Sequence, residues 1–407
     1  MRKDAANQAN PIVTVMPSKN KIVCLSNAFD QHYHDLRGEE ISRGLTWQKR
    51  RDLFRCLEQA AGAEIVVLSS PPKALERRAG KWLPAVETEF AGNRQFFCCN
   101  WDVPKLRIPL SWFFYARHVL HHVRSGDLVL IDNYEFIYIV AARLLNLFRR
   151  VTFILDYEDG KHLIDRGWSR VLSGLAEWAG RPLIRAAMLA HPALGKRLSA
   201  SVPTEVIPGF IPQKLSGITR EPDSGEIRFL YSGALDITRG MDLLLEALEH
   251  LPEEGWCLDI TGYGILTDRV TRFAQDPRWR KRVKYHHSLP QEDYARVVAA
   301  AHAGLNCQRA SDPVSAVTFP SKVFTYLAAG LLVISSKAGA VEEICGNACF
   351  YYAEEAPQSL AGAMKEVMAD FSGVRQKLDL ASVSGRYSIE ATTARLRLLL
   401  KAIKSHS

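Results

Sequence analysis

At 407 residues the chain exceeds what one ordinary core organises, and its composition, 47% hydrophobic and 24% charged, is that of a globular protein rather than a disordered or fibrous one. Its 52 lysines and arginines against 44 aspartates and glutamates leave a formal charge of +8, which suits nucleotide phosphates, an anionic membrane face or nucleic acid without choosing among them. The longest apolar run, Phe136 to Phe148, contains Arg143 and Asn146 and falls short of the ~20 residues that a membrane span needs.

Residues 1–20 carry Arg2 and Lys3 but no apolar core of ~7–15 residues, so no secretory signal is read and the chain is expected in the cytoplasm. From Lys21 onward short apolar runs alternate with longer helical patterns, the signature of parallel α/β units. The runs predict strands at 21–26, 64–69, 95–99, 128–131, 151–155, 188–190 and 205–207, with a helix over 46–61 that Gly62 stops. The stretch 211–225, rich in Pro, Gly, Ser and charge, reads as a linker. A second set of strands is predicted at 228–232, 257–261, 283–285, 304–307, 331–335 and 349–352, separated by helices at 240–250, 266–275, 291–301, 321–329 and 357–370, and a last helix spans 389–404. The eight cysteines form no CxxC pair and are expected as buried free thiols.

In a doubly wound sheet ligands bind beyond the carboxyl ends of the strands, so the residues just after each strand carry the most information. The clearest stretch runs Phe319–Pro320–Ser321–Lys322–Val323–Phe324–Thr325–Tyr326–Leu327–Ala328–Ala329–Gly330, with a β-branched strand behind it. Proline opens the helix, Gly330 ends it, and the free N–H groups beside Ser321 and Lys322 suit an anion, above all a phosphate. This string resembles the donor-site helix of retaining glycosyltransferases of the GT-B architecture, family 4, where "PSK…EYLAAG…PVI" is a common variant.

The resemblance implies two Rossmann-like, doubly wound parallel-sheet domains facing across a cleft: residues 1–210 on the acceptor side, the linker 211–225, and 226–386 for the donor. Residues 387–407 would form a helix returning to the first domain. It implies metal-independent transfer from a nucleotide-diphosphate sugar, with no cofactor, to a saccharide or lipid-linked saccharide, in polysaccharide or glycoconjugate synthesis. Within Tyr231–Gly240, Gly233 and Arg239 match a loop whose two basic side chains hold the donor diphosphate, but Ala234 stands where the other cation is usual, and Lys322 is placed to supply that charge. Gly262, Tyr263 and Gly264 resemble the family's GxG. Relatives carry two glutamates with seven residues between them where this chain has Val317 and Thr325; Thr325 retains a ribose-bonding hydroxyl, and Asp312 or Ser315 is placed to take over part of the polar role. Glu342 falls at the acid of "GG-x-x-E", where a helix-dipole partner is the plainer explanation.

In the first half, Asp132 occupies the place of a histidine that faces the sugar in relatives, and Asp156, Glu158 and Asp159 form a carboxylate cluster for acceptor binding or catalysis, or else a helix cap. Other features point less far. His32 and His34 beside Asp30 and Asp35 have the look of a metal pair in an unpatterned loop, while no D-x-D exists in the chain, which argues against metal-held donor chemistry. Trp112–Phe113–Phe114–Tyr115 followed by Arg117, His118, His121 and Arg124 either lies on an anionic bilayer or packs on a sheet. The basic run Arg278–Arg282 precedes a strand and belongs to no nucleic-acid module, so no nucleic-acid partner is expected. Two rivals to the transferase reading stay open: a catalytically silent glycosyltransferase-like scaffold, and a nucleotide-sugar epimerase on the same fold.

Overall fold

The computed structural model describes residues 21–27, 47–70, 82–101, 103, 106–211 and 225–404. Its first sheet is built from β1 (Ile22–Leu25), β2 (Ile65–Ser69), β4 (Val86–Phe90), β5 (Asn93–Phe97), β7 (Leu128–Asp132), β8 (Thr152–Tyr157), β9 (Ile184–Leu189) and β10 (Thr204–Val206), while β3 (Trp82–Leu83) and β6 (Asn100–Trp101) form a small antiparallel ribbon. The strand order is β10-β9-β8-β7-β1-β2-β5-β4, with every neighbouring pair parallel except the β4–β5 hairpin at one edge. Sequences such as IVCL, IVVLS and LVLID are apolar up to their carboxyl-terminal residue because helices cover both faces of these strands.

The two faces separate by alternation. Val23 and Leu25 of β1 join the core under the helices Arg107–His122, Phe136–Phe148 and Gly167–Gly180. Ile22 and Cys24 point the other way, to the helix Trp47–Ala61 through Leu53, Phe54 and Leu57. That second face is completed by the last helix, Ile389–Lys404, which inserts Leu396, Leu399, Leu400 and Ile403 into the same core. Arg395 pairs with Glu205 at 2.6 Å, and the Arg397 guanidinium donates to the Gln59 carbonyl at 3.3 Å, so the chain's final helix is fastened to the first sheet.

The second sheet contains β11 (Ile227–Ser232), β12 (Trp256–Thr261), β13 (Val283–Tyr285), β14 (Ala303–Asn306), β15 (Leu332–Ser335) and β16 (Phe350–Tyr351), all parallel, in the order β13-β12-β11-β14-β15-β16. This is the doubly wound 3-2-1-4-5-6 arrangement, whose direction reverses between β11 and β14; the first sheet reverses between β1 and β7. The carboxyl ends of the two sheets meet. Val317, from the loop after β14, is buried in the first sheet's core, beside the place a Cβ on Gly160 would occupy. Gly209 lies under the Phe324 ring in the same way.

Ten of the thirteen strands predicted agree closely with the structure, and β9 starts four residues ahead of its predicted Met188 because Arg185 interrupts its apolar run. The hairpin strand β4 was not predicted. Its VETEF pattern is half polar, and its two-residue turn uses Ala91 at φ +54° and Gly92 at φ +82°, with alanine where such a turn usually shows asparagine or glycine. The predicted linker lies, apart from its ends, outside the described residues.

Candidate functional site

The strand reversal in the second sheet puts the loop Gly233–Gly240, after β11, beside the loop Cys307–Pro320, after β14. Gly233 and Gly262 both have strongly positive φ, +137° and +128°. A Cβ on Gly262 would overlap the Gly233 carbonyl oxygen, so the GxG turn serves first to let two backbones touch. Gly262→Ala is therefore expected to lower stability by about 3 kcal/mol, from a conformation closed to alanine plus overlap with immovable backbone, measured as a fall in the urea midpoint; an unchanged midpoint would show that the loops yield freely.

Lys322 leaves the first turn of the helix Ser321–Ala328 and runs beneath Gly233, whose own Cβ position would lie 3.4 Å from Lys322 Cε. Its ammonium sits 3.9 Å from the centre of the Tyr231 ring, fully buried and without a hydrogen-bond partner, although the side chain as a whole is only half-buried. Burial lowers its pKa to about 7, and the positive charge of Arg239 adds to the effect. The neighbouring Cys307 thiol is pushed up to about 12 by its own burial, so it stays neutral at pH 7 and supplies no counter-charge.

Arg239 is held from two sides. Its guanidinium donates to the Gln308 side-chain oxygen and its backbone N–H to Asp236 Oδ1 at 2.7 Å. Gln308 is fully buried and donates from Nε2 to Ser315 Oγ at 2.9 Å, so a fixed amide aims the arginine. Arg309 clamps the following loop to Asp242 at 2.7 Å and Glu355 at 3.1 Å, and Glu355 in turn accepts from the Ser311 hydroxyl at 2.7 Å. Gln308 and Arg309 were absent from the sequence-based candidates; a polar pair directly behind a buried strand end was the available signal.

The remaining donor-side candidates divide. Asp312 accepts from Thr238 Oγ1 at 2.7 Å and from the Val314 N–H at 2.9 Å, which fully occupies it in shaping the loop. Ser321, Thr325 and Tyr263 are exposed, and Gly264 packs on the Leu235 backbone. Glu342 is exposed and paired with Lys337 at 2.6 Å.

On the first sheet, the reversal between β1 and β7 gathers Ser26, Asp132 and Arg50. Arg50 Nη1 lies 2.7 Å from Asp132 Oδ2 and 2.6 Å from Ser26 Oγ. Asp156 stands level with Asp132 on the adjacent strand and is 4% exposed. Burial raises the pKa of both carboxyls, further for Asp156, where Glu158 adds repulsion; Arg50 opposes the rise in each. Glu158 turns to Lys49 at 2.6 Å, and Asp159, also raised by burial, is the third acid of the cluster. Asn133, in the left-handed region at φ +55°, accepts the backbone N–H groups of Glu158 and Asp159 at 2.8 and 2.9 Å and so sets the turn. Lys49 and Arg50 were missed in the sequence, although bases in a helix's first turn run against its dipole and flag a local reason for being there.

The aromatic helix packs one side on the sheet and leaves Phe113 exposed. Tyr115 is fully buried, Trp112 lies 4.7 Å from the Phe136 ring, and His118, in contact with the Phe96 carbonyl, is lowered to about 4 by burial. Trp279 is buried beneath Arg278 and Arg282, which explains that basic run by packing. His32 and His34 lie outside the described residues; among the described residues no group of three metal-ligating side chains assembles, and no helix is long and apolar enough to cross a membrane.

Residues 226–370 match the family model described as Glycosyl transferases group 1. No curated protein matches the chain. Among solved structures, sucrose-phosphate synthase from Thermosynechococcus elongatus superposes with a TM-score of 0.68 at 14% identity, covering 96% of this chain and 100% of that one. HepE from Anabaena, solved with UDP and glucose, gives 0.67 at 14% identity over 94% of this chain and 100% of its own. The lipopolysaccharide outer core galactosyltransferase WaaB, in its apo form, gives 0.61 at 13% over 94% and 99%. The chain thus has the two-domain GT-B fold throughout, and its second domain carries the match to the glycosyl transferases group 1 family.

Proposed function

We propose that the protein is a retaining glycosyltransferase that moves a sugar, a hexose in our reading, from a nucleotide-diphosphate donor to a hydroxyl of a saccharide or lipid-linked saccharide, without a metal, in the synthesis of a surface polysaccharide or glycoconjugate. The observation that carries this reading is the buried, unpartnered Lys322 ammonium next to an oriented Arg239 at the strand reversal of the second sheet. Two cations that form no ion pair among the described residues are a site waiting for an anion. The family match of this same domain, and the UDP held by HepE, support a diphosphate as that anion.

In the proposed reaction the acceptor oxygen attacks the anomeric carbon on the face from which the diphosphate leaves. The bond from that carbon to the phosphate oxygen breaks, its electron pair stays on the diphosphate, and the acceptor proton passes to the departing oxygen. Arg239 and Lys322 stabilise the developing charge. Asp132, Glu158 and Asp159, across the crevice, hold the acceptor, with Asp156 beneath them setting the local field. Closure of the crevice excludes water that would hydrolyse the donor. The protein acts in the cytoplasm, at the inner face of the membrane where its acceptor is lipid-linked.

Purified protein incubated with UDP-, GDP- and TDP-sugars, with and without membrane lipid extract, is expected to release one nucleoside diphosphate in an acceptor-dependent manner. Product without acceptor would replace this reading by an epimerase. Absence of both turnover and nucleotide-induced thermal shift would replace it by a silent scaffold, the reading that Val317, Thr325 and Ala234 favour.

A further inference from the structure

One face of the helix Gly167–Gly180 covers nothing. Trp168, Val171, Leu172, Leu175 and Trp178 recur at helical spacing on the side away from the buried Ala176, Glu177 and Gly180, and all five are exposed, Trp168 at 83% and Trp178 at 75%. Single exposed apolar residues are ordinary, but a stripe of five with two tryptophans marks a binding surface.

The charge around the stripe is mainly positive, with Asp165 the acid beside its amino end. Arg166 and Arg170 are exposed at its amino end. At its carboxyl end Arg181, Lys196 and Arg197 line an open cavity of about 670 Å³; Arg181 and Arg197 share the Glu177 carboxylate, which leaves the cavity cationic. Within the helix Glu177 is the only acid, and it faces inward. The whole protein repeats this asymmetry: residues 1–210 carry 29 Lys and Arg against 21 Asp and Glu, whereas residues 211–407 carry 23 of each, so the entire +8 excess lies in the first half.

We propose that this face docks the protein onto an anionic bilayer, with the Trp168–Trp178 stripe seated at the headgroup boundary and the cavity of Arg181, Lys196 and Arg197 taking lipid phosphates. Tryptophan favours that boundary because its ring is apolar and its N–H polar, and each basic side chain near an anionic surface adds attraction. The short helix Lys161–Ile164 joins this surface to the Asp156–Asp159 cluster and leaves Leu163 partly exposed beside it. Docking therefore brings the acceptor end of the crevice to the lipid surface, a consequence that rests on the proposed transfer; the docking itself does not.

The test is co-sedimentation of the full chain with phosphatidylcholine vesicles prepared with and without phosphatidylglycerol. Binding is expected to the anionic vesicles, to fall about tenfold in the Trp168→Ser/Trp178→Ser variant and again in Arg170→Glu/Lys196→Glu, and to weaken with salt. Unchanged melting temperature and unchanged nucleotide-induced thermal shift in both variants are expected alongside, which separates failure of docking from failure of the donor site. Quenching of wild-type tryptophan fluorescence by brominated lipid provides a readout that needs no variant. Absence of wild-type binding, equal binding by the Trp168→Ser/Trp178→Ser variant, or a concentration-dependent dimer that this variant abolishes would overturn the proposal, the last by assigning the face to a second copy of the chain.

Discussion

Lys322→Met is expected to give a protein that is more stable and far less active. The ammonium in the wild type is buried against the Tyr231 ring with no carboxylate or hydrogen-bond acceptor to hold it, whereas methionine fills the same space and prefers an aromatic neighbour. Because burial brings the lysine from 10.5 down to about 7, the unfolded chain holds more protons than the folded one between those values. Wild-type stability should therefore rise as pH climbs from about 7 toward 10.5, by an amount on the order of a few kcal/mol, and the methionine variant should lack that rise. A bound diphosphate reverses the balance by recharging the lysine, so calorimetry above pH 7 in buffers of different ionisation enthalpy should detect uptake of up to one proton per nucleotide bound, and affinity should weaken as pH rises. Turnover in the variant is expected to drop by about 10² to 10³, the cost of one charge missing from the leaving group. Nucleotide binding with no proton uptake would place the anion elsewhere.

The second large effect is expected at Arg50. This side chain pairs with Asp132 and also lowers the pKa of Asp156, two carboxyls on adjacent strands whose pKa values burial has already raised. Arg50→Met strands Asp132 and weakens the field on Asp156, which keeps Lys49 nearby, and breaking a buried pair by deleting one partner typically costs about 3–5 kcal/mol. The loss should be pH-dependent in a definite direction. Carboxyls with raised folded pKa values bind protons more readily in the folded state, so their contribution is present at low pH and is lost as pH rises through those values. The variant should consequently approach the wild type near pH 4 and diverge from it toward pH 8, as read from urea midpoints across that range. A deficit that stays constant with pH would mean that Arg50 acts by packing and not by charge.

The order of strands and helices was legible because each unit follows one rule: a buried parallel strand is apolar throughout, and a helix ends where glycine permits a left-handed residue, as at Gly62 and Gly330. The donor-side glycine and lysine positions were legible for a related reason, since a strand, a turn and a helix start are local patterns. Which side chain faces which was not. Arg239 and Lys322 share a place because β11 and β14 are neighbours, yet seventy residues separate those strands in sequence. Gln308, Arg50 and Lys49 gain their roles only through such pairings. The chain also hides a constraint that residue type normally advertises: Ala340 adopts φ +57° at a position where glycine would show the need for it.

The fastening of the final helix to the first sheet has a consequence for biogenesis. Leu396, Leu399, Leu400 and Ile403 complete a hydrophobic layer whose other members, Ile22, Cys24, Ile65 and Val67, leave the ribosome hundreds of residues earlier. That face is therefore covered only in part, by Leu53, Phe54 and Leu57, until residues 389–404 have been made, while the core of the second sheet draws on residues 227–374 alone.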